Sequence, residues 1–126
     1  MKIKNIEVEF SFSDVDDLER LENAAKKVKE ISAECEKKEL SVSEAIREEC
    51  KIINVFFDEV FGEGISEKLF NGKNDLKEHI DLFKDIIDEK VRQTNAFQNM
   101  YNNIEYNSKY MPNREQRRFN KYKGRK

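Results

Sequence analysis

Between Val55 and His79 the chain reads VFFDEVFGEGISEKLFNGKNDLKEH, two long helical patterns interrupted by glycines and a short apolar block. Phe56, Phe57, Val60 and Phe61 close the first pattern at helical spacing. Gly62 and Gly64 supply the positive φ on which helices stop, and Asn74 with Asp75 opens the next helix. Ile65, Leu69 and Phe70 form a compact apolar turn between them. Two helices joined by such a corner must bury their apolar faces against each other. Phe57, Val60, Phe61, Leu69, Phe70, Ile80 and Phe83 are therefore expected in one core around the glycines.

Upstream, Ala45, Ile46, Cys50, Ile53, Phe57, Val60 and Phe61 share one face of a helix whose start is marked by the capping-box pair Ser41 and Glu44. An earlier helix, running to about Lys38, carries a narrower stripe: Leu18, Leu21, Ala25, Val28, Ile31 and Cys35. Ser13 with Asp16 reads as its N-terminal box, and the acidic residues at 14, 16 and 17 suit the helix dipole. From Glu7 onward Val8, Phe10 and Phe12 alternate with Glu9 and Ser11, the period of a half-buried strand. Ile6 is in phase with this set and Ile3 is not, so the strand starts at Ile3 with a bulge or near Asn5. No second strand is equally clear, and one strand leaves its edges unpaired. Pairing within the chain, with another copy or with a partner's sheet edge all remain open.

Downstream, a third helix is expected from Asp75 to about Asn102, using Leu76, Ile80, Phe83, Ile86, Ile87, Val91, Thr94, Phe97 and Tyr101. At 1.5 Å per residue it spans roughly 40 Å and outruns its partners, so part of it projects or bends. From Gln93 the composition turns to Asn, Gln and Tyr, with Tyr101, Ile104, Tyr106 and Tyr110 interleaved. That half reads either as a binding surface or as a solvated, fraying end. Pro112 forces a break, after which Asn113 caps a short basic helix, Arg114 to Tyr122. The fold class is mainly α: an elongated three-helix domain, 1–108, with one N-terminal β-strand, followed by a basic C-terminal tail, 109–126.

The chain has 126 residues, the size of one domain, and 40% of them are charged against 37% hydrophobic. Its core must be narrow and its surface heavily charged. Residues 1–108 hold 16 basic and 25 acidic side chains, a net −9, whereas 109–126 hold eight basic and one acidic, a net +7. An acidic body with a basic tail suits an acidic partner, nucleic acid, or the tail folding back on the body. Arg114, Arg117, Arg118, Lys121 and Lys123 mixed with Phe119 and Tyr122 could contact phosphate and stack on bases. The acidic body opposes that use, so protein contact ranks above nucleic acid. No apolar stretch approaches the roughly 18 to 20 residues that span a bilayer, and no secretory signal is present. The expected setting is the reducing cytoplasm of a bacterial host, with Cys35 and Cys50 as small core residues on the helix stripes.

Side chains that carry chemistry are sparse. His79 is the one histidine, read as a surface or boundary residue. Asp14, Asp16 and Asp17 lack the glycine and the twelfth-position glutamate of a calcium loop. Glu48, Glu49, Asp58 and Glu59 fall on the polar side of a Phe-rich helix and read as a solvated face. Neither cysteine has a histidine at an activating distance in sequence, and the glycines around Glu63 match no phosphate-binding loop. No catalytic residue, cofactor or metal is expected, and the chain is not read as an enzyme.

Three blocks carry a resemblance: Val55 to His79, the opening Ile6-Glu-Val-Glu-Phe-Ser-Phe-Ser-Asp-Val-Asp-Asp17, and the tail Met111-Pro-Asn-Arg-Glu-Gln-Arg-Arg118. Together they resemble a family of small proteins from phages and prophages of Gram-positive bacteria, encoded among tail-morphogenesis genes. The resemblance implies a tail assembly chaperone or accessory protein whose partner is a tape-measure or tube protein. The alternatives are a structural tail subunit retained in the particle and a nucleic-acid-binding regulator using the basic tail. Partner contact is expected at Val8, Phe10, Phe12, Phe97, Tyr101, Tyr110, Arg114, Arg117, Arg118, Phe119 and Tyr122, with self-association into a homo-oligomer through the strand or the third helix.

Overall fold

The computed structural model describes residues 1–109, with side chains through Ile104. The elements are β1 (Lys2–Ile3), β2 (Ile6–Glu7), α1 (Val15–Glu36), α2 (Val42–Phe61), α3 (Ile65–Phe70) and α4 (Leu76–Lys109). The chain divides into two units, Met1–Glu89 and Lys90–Lys126. The fold is mainly α, as its periodicity predicts, with the corner block Ile65–Phe70 forming a fourth, short helix.

The N-terminal strand finds its partner within the chain. Strands β1 and β2 pair antiparallel, Lys2 opposite Glu7 and Ile3 opposite Ile6, and the Val8 N–H donates to the Met1 carbonyl at 2.8 Å. Lys4 and Asn5 form the two-residue turn with φ of 50° and 66°, the left-handed pair that matches the twist of a hairpin. Ile3 is out of phase with Val8 and Phe10 because it belongs to the other strand. The alternation through Phe12 is real, yet only its first residues are paired. Val8 and Phe10 are buried and Phe12 is half-buried, along an arm that lies on the helices without strand hydrogen bonds beyond Val8.

Helix α1 starts one residue later than its sequence signal suggests. Asp14, not Ser13, is the cap: its carboxylate accepts from the Asp17 N–H at 3.0 Å, while Ser13 Oγ pairs with Ser11 Oγ. Asp17 reaches back to the Ser11 N–H at 2.9 Å, which holds its carboxyl below the usual carboxylate range. The box at α2 forms as read, Ser41 Oγ accepting from the Glu44 N–H and Glu44 from the Ser41 N–H.

Rings link the elements of the first unit. Phe12 meets Phe10 at 4.9 Å between centroids, Phe10 meets Phe61 at 5.1 Å, Phe57 meets Phe70 at 5.7 Å, and Phe56 meets Phe83 at 4.8 Å. The buried face of α2 is wider than one stripe, since Ile52 and Phe56 are buried as well as Cys50, Ile53, Phe57, Val60 and Phe61. Two sides of α2 are therefore covered. Glycines do their expected work at the corner: Gly62 ends α2 at φ 126° and Gly64 precedes α3 at φ 87°.

The start of α4 departs from the predicted phase. Ile80, expected in the core, is 39% exposed, and His79, expected near the surface, is 0% exposed. The residues turned inward are His79, Leu82, Phe83 and Ile86, so Phe83 and Ile86 stand as expected and His79 takes the inward place assigned to Ile80. Asp75 fixes the entry, its carboxylate accepting from the Glu78 N–H at 3.0 Å. Phe70 then stacks on the His79 ring, 3.6 Å between centroids and 12° from parallel. A hydropathy scale counts histidine as polar and misses an imidazole used as a flat core ring.

Candidate functional site

His79 is held on every side. Its Nδ1 lies 2.7 Å from the Asp75 carbonyl oxygen, which only accepts, so Nδ1 donates. Its Nε2 lies 2.9 Å from Asn54 Oδ1, an amide that offers an acceptor or, turned over, a donor. On the far side of the corner Lys4 Nζ donates to the Leu69 carbonyl and to Glu78, both at 2.8 Å, and stands 5.1 Å from the Phe70 ring centre. The hairpin turn thus ties the end of α3 to the start of α4. These contacts give His79 a packing role.

Asp58 likewise leaves the solvated face assigned to it from sequence. Its two carboxylate oxygens accept from the Ser66 N–H at 2.9 Å and from Ser66 Oγ at 3.0 Å, pinning α3 across the glycine corner. Glu49 accepts from Ser32 Oγ at 3.1 Å, and Glu59 pairs with Lys27 at 3.3 Å, both bridging α1 and α2. Cys50 is buried and Cys35 half-buried, both with free thiols. Burial, with the charges of Asp75 and Glu49, pushes the Cys50 thiol up and keeps it protonated. Among the described residues no group of three His, Cys, Asp or Glu side chains could hold a metal ion.

Concave apolar surface flanks α1. On one side, a groove of about 210 Å³ runs against α2, with Ala24, Val28, Ile52 and Phe56 along it and Ile31 and Val55 partly in the open. Its rim is charged: Lys27, Glu48, Lys51 and Glu59. On the other side, about 430 Å³ opens between α1 and the first turns of α4, lined by Ala25, Val28, Phe83 and Ile87 with Glu22, Lys26 and Lys29 at the rim. Val28 lines both. A larger depression of about 630 Å³ at the corner has charged lips. Two of its lysines are already paired, Lys4 with Glu78 and Lys77 with Asp81 at 2.6 Å.

The partner residues expected from sequence separate into three groups. Val8 and Phe10 are covered by the chain's own core and are not open to a partner, whereas Phe12 packs against that core half-buried. In the second unit Phe97 is half-buried and Tyr101 exposed on α4. Tyr110, Arg114, Arg117, Arg118, Phe119 and Tyr122, and the basic helix expected at 114–122, lie outside the described residues. Sequence reasoning missed Ile52, Val55 and Ile87 as groove residues. Val55 carried a signal, an apolar residue off the buried stripe of α2, whereas Ile31 sat on the α1 stripe and reads as core. Among the described residues no helix is long and apolar enough to cross a membrane.

No curated protein and no solved structure matches the chain. A family profile does, over residues 4–121, and the chain accordingly belongs to the family described as a family of unknown function, DUF6673.

Proposed function

We propose that the chain is a non-enzymatic interaction protein of phage or prophage tail assembly, a chaperone that shields apolar surface on a tape-measure or tube protein in the host cytoplasm. The tail context rests on the resemblance of the three sequence blocks. The observation that carries the binding role is the pair of apolar grooves flanking α1, with Ile31 and Val55 exposed between charged rims. An amphipathic client helix lays side chains at i, i+3 or i+4 and i+7 into grooves of this kind. Shallow grooves with charged rims suit capture followed by release, because binding surplus depends on buried anchors and not on contact area alone. His79 and Asp58, which sequence places at the boundary and on a solvated face, are occupied in packing the corner.

Co-expression with a tape-measure protein from a phage of Gram-positive bacteria tests this reading. The pair should co-purify and stay together in about 0.3 M salt, since apolar anchors outlast screening. Ile31→Asp or Val55→Asp, both at partly exposed positions, should abolish capture without lowering the melting temperature. The protein should also be absent from purified particles. Its presence there in fixed stoichiometry would make it a structural subunit, and capture untouched by both substitutions would refute the groove assignment.

A further inference from the structure

The link between α3 and α4 holds a residue pair with chemistry of its own. Asn71-Gly72 is the one Asn-Gly step in the sequence. At such a step no Cβ shields the glycine nitrogen and the backbone turns freely, so that nitrogen can attack the asparagine side chain. The Gly72 nitrogen gives its proton to hydroxide and bonds to Asn71 Cγ. The side-chain nitrogen takes a proton from water and leaves as ammonia, which restores the hydroxide. The five-membered imide then adds water at either carbonyl. One opening returns aspartate in an ordinary chain, and the other gives isoaspartate, whose main chain runs through Cβ.

The fold opposes this reaction by torsion. Ring closure needs the Gly72 nitrogen and the Asn71 Cβ on the same side of the Cα–C bond. Asn71 ends α3 in the left-handed region, φ 53° and ψ 34°, which puts the two nearly opposite each other. That turn is closed by its own hydrogen bonds, from the Asn71 N–H to the Glu67 carbonyl at 2.8 Å and from the Lys73 N–H to the Phe70 carbonyl at 3.0 Å. Two further ties span it: Lys4 Nζ bonds both the Leu69 carbonyl and Glu78, and the Phe70 ring stacks on His79. Rotating ψ to the reactive value swings the end of α3 away from the start of α4 and breaks both ties. We propose that Asn71 is a site of spontaneous deamidation that reacts only when the α3–α4 link opens, and that its isoaspartyl product, one main-chain carbon longer, keeps the link from closing as before.

Tryptic cleavage after Lys68 and Lys73 isolates residues 69–73, in which Asn71 is the single asparagine. Mass spectrometry of that peptide follows conversion of the amide to the acid during incubation of the full chain at neutral pH. Conversion should be at least about tenfold slower in the folded protein than in guanidinium chloride, because only the opened fraction reacts. Lys4→Met removes both bonds across the link and should raise the folded-state rate at least about threefold. The isoaspartyl form should melt below Asn71→Asp, which carries the same charge on an ordinary main chain. Equal rates in the folded and unfolded chain overturn the inference. So does a Lys4→Met rate equal to that of the wild type, or an isoaspartyl form that melts with Asn71→Asp. The wild-type comparison decides even if Lys4→Met fails to fold.

Discussion

Helix α2 and the stretch of α4 from Lys90 to Lys109 are of similar length and are maintained in different ways. Helix α2 is capped at both ends, by the Ser41–Glu44 box and by Gly62, and buries Cys50, Ile52, Ile53, Phe56, Phe57, Val60 and Phe61. Within α4 from Lys90 to Ile104 no residue is buried, and Val91, Met100, Tyr101 and Ile104 are among the exposed apolar side chains. Described residues of the chain cover one apolar face; on the other, Met100 and Ile104 are 60% and 62% exposed among the described residues. Truncating a buried side chain leaves a cavity, whereas truncating an exposed one removes few contacts.

That contrast can be broken most severely at Phe57, which is 0% exposed. Phe57→Ala should cost about 3 to 5 kcal/mol in chemical denaturation, lost transfer energy plus the cavity left behind. Met100→Ala should stay within about 0.5 kcal/mol in dilute solution. Comparable losses for the two would erase the distinction.

Smaller effects sharpen it within the first unit. Asp58→Ala removes both acceptors of Ser66 and should cost about 1.5 to 3 kcal/mol, loosening α3 from α2. Ser41→Ala should cost about 1 kcal/mol through the lost N-cap. Urea titrations of both variants provide the check, and an unchanged midpoint for Asp58→Ala would return that residue to the solvated face. The smallest effect is in pH dependence. The Ser41 N–H, with the Ser41 hydroxyl, holds the Glu44 carboxyl below its usual range. A depressed folded value stabilises the protein above the ordinary carboxylate range near pH 4.3 and is lost as pH falls through the folded value. Glu44→Gln should therefore flatten the decline of melting temperature in acid and change little at neutral pH.

Sequence made the helical architecture legible where several signals agreed, as at Ser41, Glu44, Gly62 and Gly64. It failed where one residue had two readings. His79 scores as polar and packs as a ring, so it takes the inward place that spacing assigns to Ile80, while Phe83 and Ile86 turn inward as spacing predicts. The hairpin was hidden because Lys4-Asn5 is a weak turn signature beside the glycine pairs that usually mark one, and because strands of two residues show no period. The grooves were illegible for a tertiary reason. Whether Val28, Ile31 and Val55 line a surface or fill a core depends on how closely α1 meets its neighbours, which spacing along one helix does not encode. The loss of charge after Gln93 is visible in composition, and there Phe97 is half-buried and Tyr101 exposed.

Hydrogen exchange on the full chain tests most directly the claim that α2 is a capped, buried helix and that residues 91–104 of α4 bury little among the described residues. Amides of residues 50–61 should exchange only through opening close to the global stability, while those of 91–104 should exchange at least about tenfold faster. Protection of 91–104 equal to that of 50–61 would contradict the account.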